Sequence, residues 1–314
     1  MNPEVSVVIP AYNRPGLLDK TLHAIENQSL KGGFECIIVY GGDEKVGELC
    51  EKKAVGSKVF SCFRSDTESP ARKRNIGIGK ARAPIIAFTD DDCIPDKNWL
   101  EEILVKFGGE KGIAGVEGLT YTKGRKELYS NAPVNLKGGL FPTCNLSFKA
   151  GVLQKTGGFD ESYRFYREDT DVAFRAMEHG RVVFCEKAKV FHPQRRVGLM
   201  RPIETLSLLK EDVRLFKKMP EKYVKFLGKG FVLDMIKVIA AWVFLLIAAV
   251  NLDNTIIISG AIIGYCIFWV MVIWGWQAKG AQASIPEFFV FAILNLFRGI
   301  LFPFYFLYYW AAVK

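Results

Sequence analysis

The apolar run "IIAFT" at 85–89 stops at three consecutive aspartates, Asp90, Asp91 and Asp92. Neighbouring carboxylates repel one another, so folding alone gives little reason to place three at the end of a buried strand. Two carboxylates at alternate positions, Asp90 and Asp92, suit a hard divalent cation, Mg2+ or Mn2+, that keeps positions open for phosphate oxygens. An acidic turn ahead of "NWLEEIL" is the plainer account, with Asp96 as helix cap. It explains Asp96 well and the triplet poorly. A second acidic cluster, Glu168, Asp169 and Asp171, opens "FYREDTDVAFRAMEHG" at 165–180, where a helix N-terminus alone would favour negative charge. His192 stands in "KVFHP", and Gln194, Arg195 and Arg196 follow it. These three could clamp a diphosphate or an acceptor phosphate, or form a plain basic surface.

The surrounding pattern supplies the elements that must hold these groups. Short β-branched runs predict strands over "VSVVIP" (5–10, ended by Pro10), "FECIIVY" (34–40), "KVFSCF" (58–63) and "PIIAFTD" (84–90). Helical spacing between them predicts helices over 14–28, 45–55 and 70–81, the first with Leu17, Leu18, Leu22 and Ile25 on one face. Alternation of this kind predicts an α/β fold, a mostly parallel sheet flanked by helices. In such sheets ligands bind at the carboxyl ends of strands, which brings Pro10–Tyr12, Tyr40–Asp43 and Asp90–Asp92 together.

Half of the 314 residues are hydrophobic, and from Phe231 onward the chain is overwhelmingly apolar. The net charge of +9 is equally local: residues 181–229 carry thirteen Lys/Arg against five Asp/Glu. A basic segment ahead of an apolar tail points to an anionic lipid surface or a phosphate-bearing substrate. With no helix-turn-helix, zinc-finger or RNA-binding signature, nucleic acid is not the expected partner. Seven scattered cysteines without a CxxC pair predict free thiols in a reducing cytosol. The opening "MNPEVSVVIPAYNR" enters a strand pattern directly and does not read as a signal peptide.

Three parts are expected: a catalytic domain (1–200), a basic amphipathic interfacial segment (201–230) and a helical membrane region (231–314). In the second, Ile203, Leu206, Leu209, Val213 and Phe216 can share one face. In the third, 238–250, 255–276 and 288–313 are spanning candidates. Asp234 and Lys237 must then lie near the interface, and Arg298 and Pro303 interrupt the last span. Arg298 at membrane depth is a candidate lipid-phosphate contact. The basic stretch before the first span predicts a multi-pass protein of the inner or plasma membrane with its catalytic domain cytoplasmic.

Several segments occur in the order typical of family 2 glycosyltransferases, enzymes of the GT-A fold: "VSVVIPAYNR", "ARKRNIGIGKARAPIIAFTDDDCIP", "TCNLSFKAGVLQKTGGFDE", "REDTDVAFRAMEHG" and "VFHP". The resemblance covers residue 5 to about residue 196. It implies a nucleotide-sugar donor, UDP-linked by preference and GDP-linked as an option, bound through a divalent metal and transferred with inversion. Asp92 then resembles the direct metal ligand, and Asp90 the residue that touches the donor ribose or shares the metal. Asp91 ranks last of the three as a metal contact. His192 matches a histidine that completes the metal shell in some relatives. Pro10, Ala11 and Tyr12 resemble the segment against the nucleobase. Arg74 resembles the arginine near the donor phosphates, with Arg72 as the alternate, and Asn145 a sugar contact or a backbone brace. Asp169 resembles the general base, with Asp171 as the alternative and Glu168 positioning the acceptor. One departure stands out. Relatives end the second strand with an acidic pair that reads the base, whereas here Tyr40 and Gly41 occupy those places. Either Asp43 reaches the base from a shifted loop or Tyr40 stacks on it.

Together these features predict a membrane-anchored inverting glycosyltransferase acting on a lipid-linked acceptor: a polyprenyl phosphate, a lipid-linked glycan or a glycolipid. A processive polysaccharide synthase is one rival, with "QRRVG" a faint echo of the QxxRW element. A nucleotidyltransferase would carry a glycine-rich phosphate loop where this chain has "PAYNRPG". A non-catalytic membrane scaffold of the same fold is the last rival, and it would bind no nucleotide.

Overall fold

The computed structural model describes residues 2–30, 33–124, 129–228, 253–277 and 284–313, with scattered positions between 239 and 250. It divides into two compact units, residues 1–123 with 132–193, and 124–131 with 194–314.

The first unit opens β1 (Val5–Tyr12), α1 (Pro15–Glu26), β2 (Phe34–Gly41), α2 (Glu44–Ala54), β3 (Phe60–Arg64), α3 (Pro70–Lys80) and β4 (Ile85–Phe88). After β5 (Ile94–Pro95), α4 (Trp99–Gly109) and β6 (Ile113–Tyr121), the chain passes through β7 (Ser130–Asn131) of the second unit. It returns as β8 (Leu146–Lys149), α5 (Ala150–Thr156), α6 (Glu168–Ala176) and β9 (Arg181–Phe191). Eight strands make one sheet in the order β3-β2-β1-β4-β8-β6-β9-β5. The first four of that order run parallel; β8 is antiparallel to β4 and β6, and β9 is parallel to β6. The expected mixed α/β fold is present. The alternating residues Val5, Val7 and Ile9 of β1 pack with Leu18, Leu22 and Ile25 of α1 in one buried core.

β1 does not end at Pro10, as its sequence suggests, but continues to Tyr12. The reason is one-sided pairing. β2 follows β1 residue for residue up to Tyr12↔Gly41, whereas β4 follows only to Val8↔Phe88, with Thr89 N–H still donating to the Val8 carbonyl. Two residues on, the backbone nitrogen facing β4 belongs to Pro10, which has no hydrogen to donate. The strands part there, and the Asp90–Asp92 turn sits in the gap. A second correction concerns α4: its cap position is Asn98, not Asp96, whose carbonyl instead accepts Trp99 N–H at 3.0 Å.

α3 lies close over β1 because Gly77 faces Val8; a Cβ there would overlap the valine side chain. Gly77→Ala is expected to destabilise the protein by about 1–3 kcal/mol, the usual range for overpacking. Urea denaturation would measure it, and a change within error would mean that the helix can shift freely.

In the second unit, β7 pairs with β10 (Arg195–Arg196). α7 (Arg201–Glu204), a 3-10 turn, α8 (Leu209–Lys218) and α9 (Pro220–Leu227) cover the predicted interfacial segment. Its apolar stripe is largely buried at Leu206, Leu209 and Val213, and α7 and α8 pack against the last helix, α11 (Ile285–Ala312). Lys217 Nζ donates to the carbonyls of Trp310 and Val313 at the end of that helix. α10 (Thr255–Gln277) covers the second predicted span, and its fully described apolar stretch is Thr255–Tyr265. Most of the first predicted span lies outside the described residues. Among those described, one helix is long and apolar enough to cross a membrane, Phe289–Ala312, with mean hydropathy 1.8.

Candidate active site

The gap between β1 and β4 gathers the acidic triplet, and Arg14 binds two of its members. Asp91 is buried: its Oδ2 accepts Tyr12 N–H at 2.9 Å and its Oδ1 lies 2.5 Å from Arg14 Nη2. It therefore braces the end of β1. Asp92 shares that arginine, whose Nη1 lies 3.3 Å from its Oδ2, yet Asp90, Asp92, Cys93 and His192 also bring one ligand atom each within 4.8 Å of one another. His192 follows the end of β9, where its backbone N–H donates to Tyr121 of β6 at 2.8 Å. Its Nδ1–H donates to the Pro193 carbonyl at 2.9 Å, and its Nε2 lies 3.7 Å from Asp92 Oδ1. Fixing the tautomer through the far nitrogen is how proteins prepare a ligating histidine. Burial and the neighbouring Cys144 push the Cys93 thiol up, so it stays a neutral and soft group. Two carboxylates and one imidazole fit Mn2+ or Mg2+; the thiol does not.

Arg74, on α3, is almost fully buried and joins two sites. Its Nη2 lies 2.9 Å from Asp90 Oδ1, its Nη1 lies 3.0 Å from Glu168 Oε1, and its guanidinium stands over the Phe159 ring at 5.5 Å. Arg72 is elsewhere, on the exposed face of α3, 3.9 Å from Glu161.

Glu168 and Asp169 begin α6, after Arg167 in a left-handed conformation (φ 72°) that a side chain adopts only under constraint. Asp169 Oδ1 accepts from Thr170 N–H (2.7 Å) and Thr170 Oγ1 (3.2 Å). Burial, and then the Glu168 charge, push the Asp169 carboxyl up to about 7. Glu168 Oε2 is buried with no hydrogen-bond partner among the described residues. Asp171 is engaged otherwise: Arg175 binds it at 2.6 Å, and Tyr163 Oη donates to it at 3.5 Å.

At the other side of the gap, Ala11 O accepts Lys73 Nζ at 2.7 Å, and the Tyr12 ring lies over that ammonium at 4.5 Å. Burial pulls the Lys73 ammonium down to about 8. Asp43 caps α2 through Lys45 N–H, and the Tyr40 ring faces Gly47 of the same helix. At Gly41 a Cβ would overlap the Ser65 carbonyl, which leaves no room for an acidic side chain. Asn145 accepts from Trp99 Nε1 at 2.8 Å and donates to Leu119 and Ala188 carbonyls at 2.9 Å each, joining β6, β9 and α4. Gln194, Arg195, Arg196 and Arg298 belong to the second unit. There Gln194 accepts from Ser130 Oγ at 3.0 Å, and Arg298 is half-buried within α11.

The first unit thus brings together Asp90, Asp92, His192, Arg74, Glu168 and Asp169. The profile of "Glycosyl transferase family 2" matches residues 6–164, half of the chain. The chain belongs to this family. Among relatives of the family 2 chain, the glycosyltransferase AglE of Haloferax volcanii is 27% identical over 230 residues, covering 68% of this chain and 72% of its own. The pre-mycofactocin glycosyltransferase of Mycobacterium tuberculosis is 26% identical over 220 residues; the match covers 61% of this chain and 43% of that protein. The mannosyltransferase PcManGT from Pyrobaculum calidifontis, solved with GDP-Man and Mn2+, aligns with the whole chain and 86% of its own. Its TM-score is 0.60 and its sequence identity 14%. S. aureus TarS 1–349 with UDP covers 73% of this chain and 72% of its own at TM-score 0.54 and 16% identity. Both share the fold.

Sequence patterns alone did not single out Arg14 and Lys73. Arg14 lies within the quoted "PAYNR", and the charge balance of a buried triplet was a usable signal for it. Lys73 had none, since a lysine on a helix reads as solvated.

Proposed function

We propose that this chain is a metal-dependent inverting glycosyltransferase. It moves a sugar from a nucleotide-sugar donor to a hydroxyl of a lipid-linked acceptor at the cytoplasmic face of a membrane. The observation that carries this reading is the Arg74 link, which ties the Asp90–Asp92–His192 cluster to the Glu168–Asp169 pair. The cluster would hold a divalent ion through Asp90, Asp92 and His192; when bound, that ion offsets the charge of a departing diphosphate. Asp169 takes the proton of the acceptor hydroxyl as the oxygen attacks the anomeric carbon in line with the leaving nucleotide. Glu168 Oε2, buried and unpartnered, is placed to accept from a second acceptor group. Arg74 ties Glu168 to Asp90 by one ion pair to each. A phosphate acceptor needs no base, so a carboxyl tuned to about 7 favours a hydroxyl. The apolar helix Phe289–Ala312 and the basic residues of 181–229 support membrane association and a lipid carrier. UDP-sugars are the favoured donors, with GDP-sugars next.

The full chain in nanodiscs, given radiolabelled UDP- or GDP-sugars and Mn2+, is expected to move label onto a polyprenyl-linked monosaccharide, one sugar per lipid. Label in a ladder of long products would support a synthase instead. Nucleotide binding without any lipid-extractable product would overturn the lipid-acceptor reading.

The pH profile tests the base. An acid raised in the folded protein stays protonated up to its new value, so Asp169 works only above it. Below about pH 7, kcat/KM is expected to fall roughly tenfold per unit. Glu168→Gln removes the like charge and should move that limb to lower pH. A profile flat from pH 5 to 8 would sink the assignment.

A further inference from the structure

Glu117 of β6 is a buried carboxylate with no part in the chemistry above, yet an entire loop is folded around it. Its oxygens accept from Asn135 Nδ2 (2.7 Å), Gly139 N–H (2.7 Å), Leu140 N–H (3.0 Å) and Phe141 N–H. Successive backbone N–H groups converging on one anion form a nest. The conformation is demanding: Gly138, Gly139 and also Phe141 (φ 56°) are left-handed. Asn135 completes the frame, exchanging backbone hydrogen bonds with Thr120 and accepting Gly138 N–H at 3.0 Å. Burial pushes the Glu117 carboxyl up, and the loop N–H groups pull it back.

The loop joins the catalytic helix on one side and faces solvent on the other. Inward, the buried Phe141 ring packs edge-on to Phe174 of α6 at 5.9 Å, in the helix that begins with Glu168 and Asp169. Outward, the loop exposes Val134, Leu136 and Leu140, with exposed Lys137 among them. Seven large apolar side chains are exposed among the described residues of the first unit: these three, Phe165, Val55, Ile94 and Val105. Four of the seven therefore lie on this loop or in the segment leading into α6. A cation amid exposed aliphatic groups complements a ligand with a hydrocarbon chain and an anionic phosphate.

We propose that Glu117 is a positioning residue that locks loop 134–141 against α6 as the platform for the acceptor. Val134, Leu136 and Leu140 take its hydrocarbon chain and Lys137 its phosphate. The inference deepens the proposed function and rests on its lipid-linked acceptor.

The test uses the full chain in nanodiscs, with a long-chain polyprenyl-linked monosaccharide and its short, water-soluble homologue as acceptors. Leu136→Ser/Leu140→Ser is expected to raise KM about tenfold for the long-chain acceptor. KM for the short homologue and Mn2+-dependent nucleotide binding should hold. Glu117→Gln turns an amide N–H2 toward donors. It should raise KM for both acceptors and speed hydrogen exchange at residues 139–141, with nucleotide binding kept. A merely structural Glu117 would instead lower Tm and kcat with KM unchanged. An unchanged long-chain KM in the double variant, beside normal wild-type turnover, would overturn this inference alone. A wild-type chain that binds nucleotide but glycosylates no lipid would overturn the function and this inference together.

Discussion

Asp169→Asn is expected to lower kcat by about two to four orders of magnitude, the usual contribution of a positioned general base. The amide keeps the size of the carboxyl and can still accept from Thr170, so the start of α6 should survive. What it loses is the ability to take a proton. Nucleotide affinity in the presence of Mn2+ should stay within a few-fold of the parent, because the Asp90–Asp92–His192 cluster does not include Asp169. Steady-state kinetics beside calorimetric titration separates the two. Near-normal turnover would mean that the acceptor arrives as an anion, as a polyprenyl phosphate does, and the hydroxyl assignment would fall.

Asp92→Ala should act on the opposite half of the site. Asp92 faces His192 Nε2, so its removal takes away a central member of the cluster. Binding of UDP or GDP with Mn2+ is expected to weaken by about a hundredfold or more, since even indirect supports of a metal site cost 10–100-fold. The rise in Tm that Mn2+ and nucleotide give the parent should vanish with it. Asp91→Asn is the control. It removes the shorter of Arg14's two ion pairs, keeps the 3.3 Å contact with Asp92 and loosens the end of β1, so it should lower Tm while metal-dependent binding persists. If Asp91→Asn abolished binding and Asp92→Ala did not, the two neighbours would have to exchange roles.

The parallel half of the sheet was legible because β1 to β4 are short β-branched runs separated by helical spacing. The placement of β8 was not. It runs antiparallel between β4 and β6, a long-range pairing that no local pattern encodes. In the site, Asp90 and Asp92 could be named from residue type and position at a strand end, whereas His192 was named as a ligand only through the resemblance to family 2. Asp171 and Asn145 are polar residues too, but their polar atoms are engaged by Arg175, Tyr163, Trp99 and two backbone carbonyls. Partners of that kind come from distant segments and leave no local mark. Arg74 shows the same limit from the other side: its position was readable, but its bridging of two carboxylates 94 and 16 residues away was not. Glu117 was hidden for a simpler reason. A lone acid between glycines in "VEGLTY" carries no sign of the three N–H groups that meet it.

Pro10 has a further meaning for how the proposed donor would enter the cleft. The hydrogen-bonded ladder between β1 and β4 lacks its next rung because the imino nitrogen carries no hydrogen. The cleft is thus held apart by covalent structure and needs no ligand to open it. A receptor site that exists before its guest arrives asks for little rearrangement on docking, so the sheet can stay rigid while loops and side chains adapt.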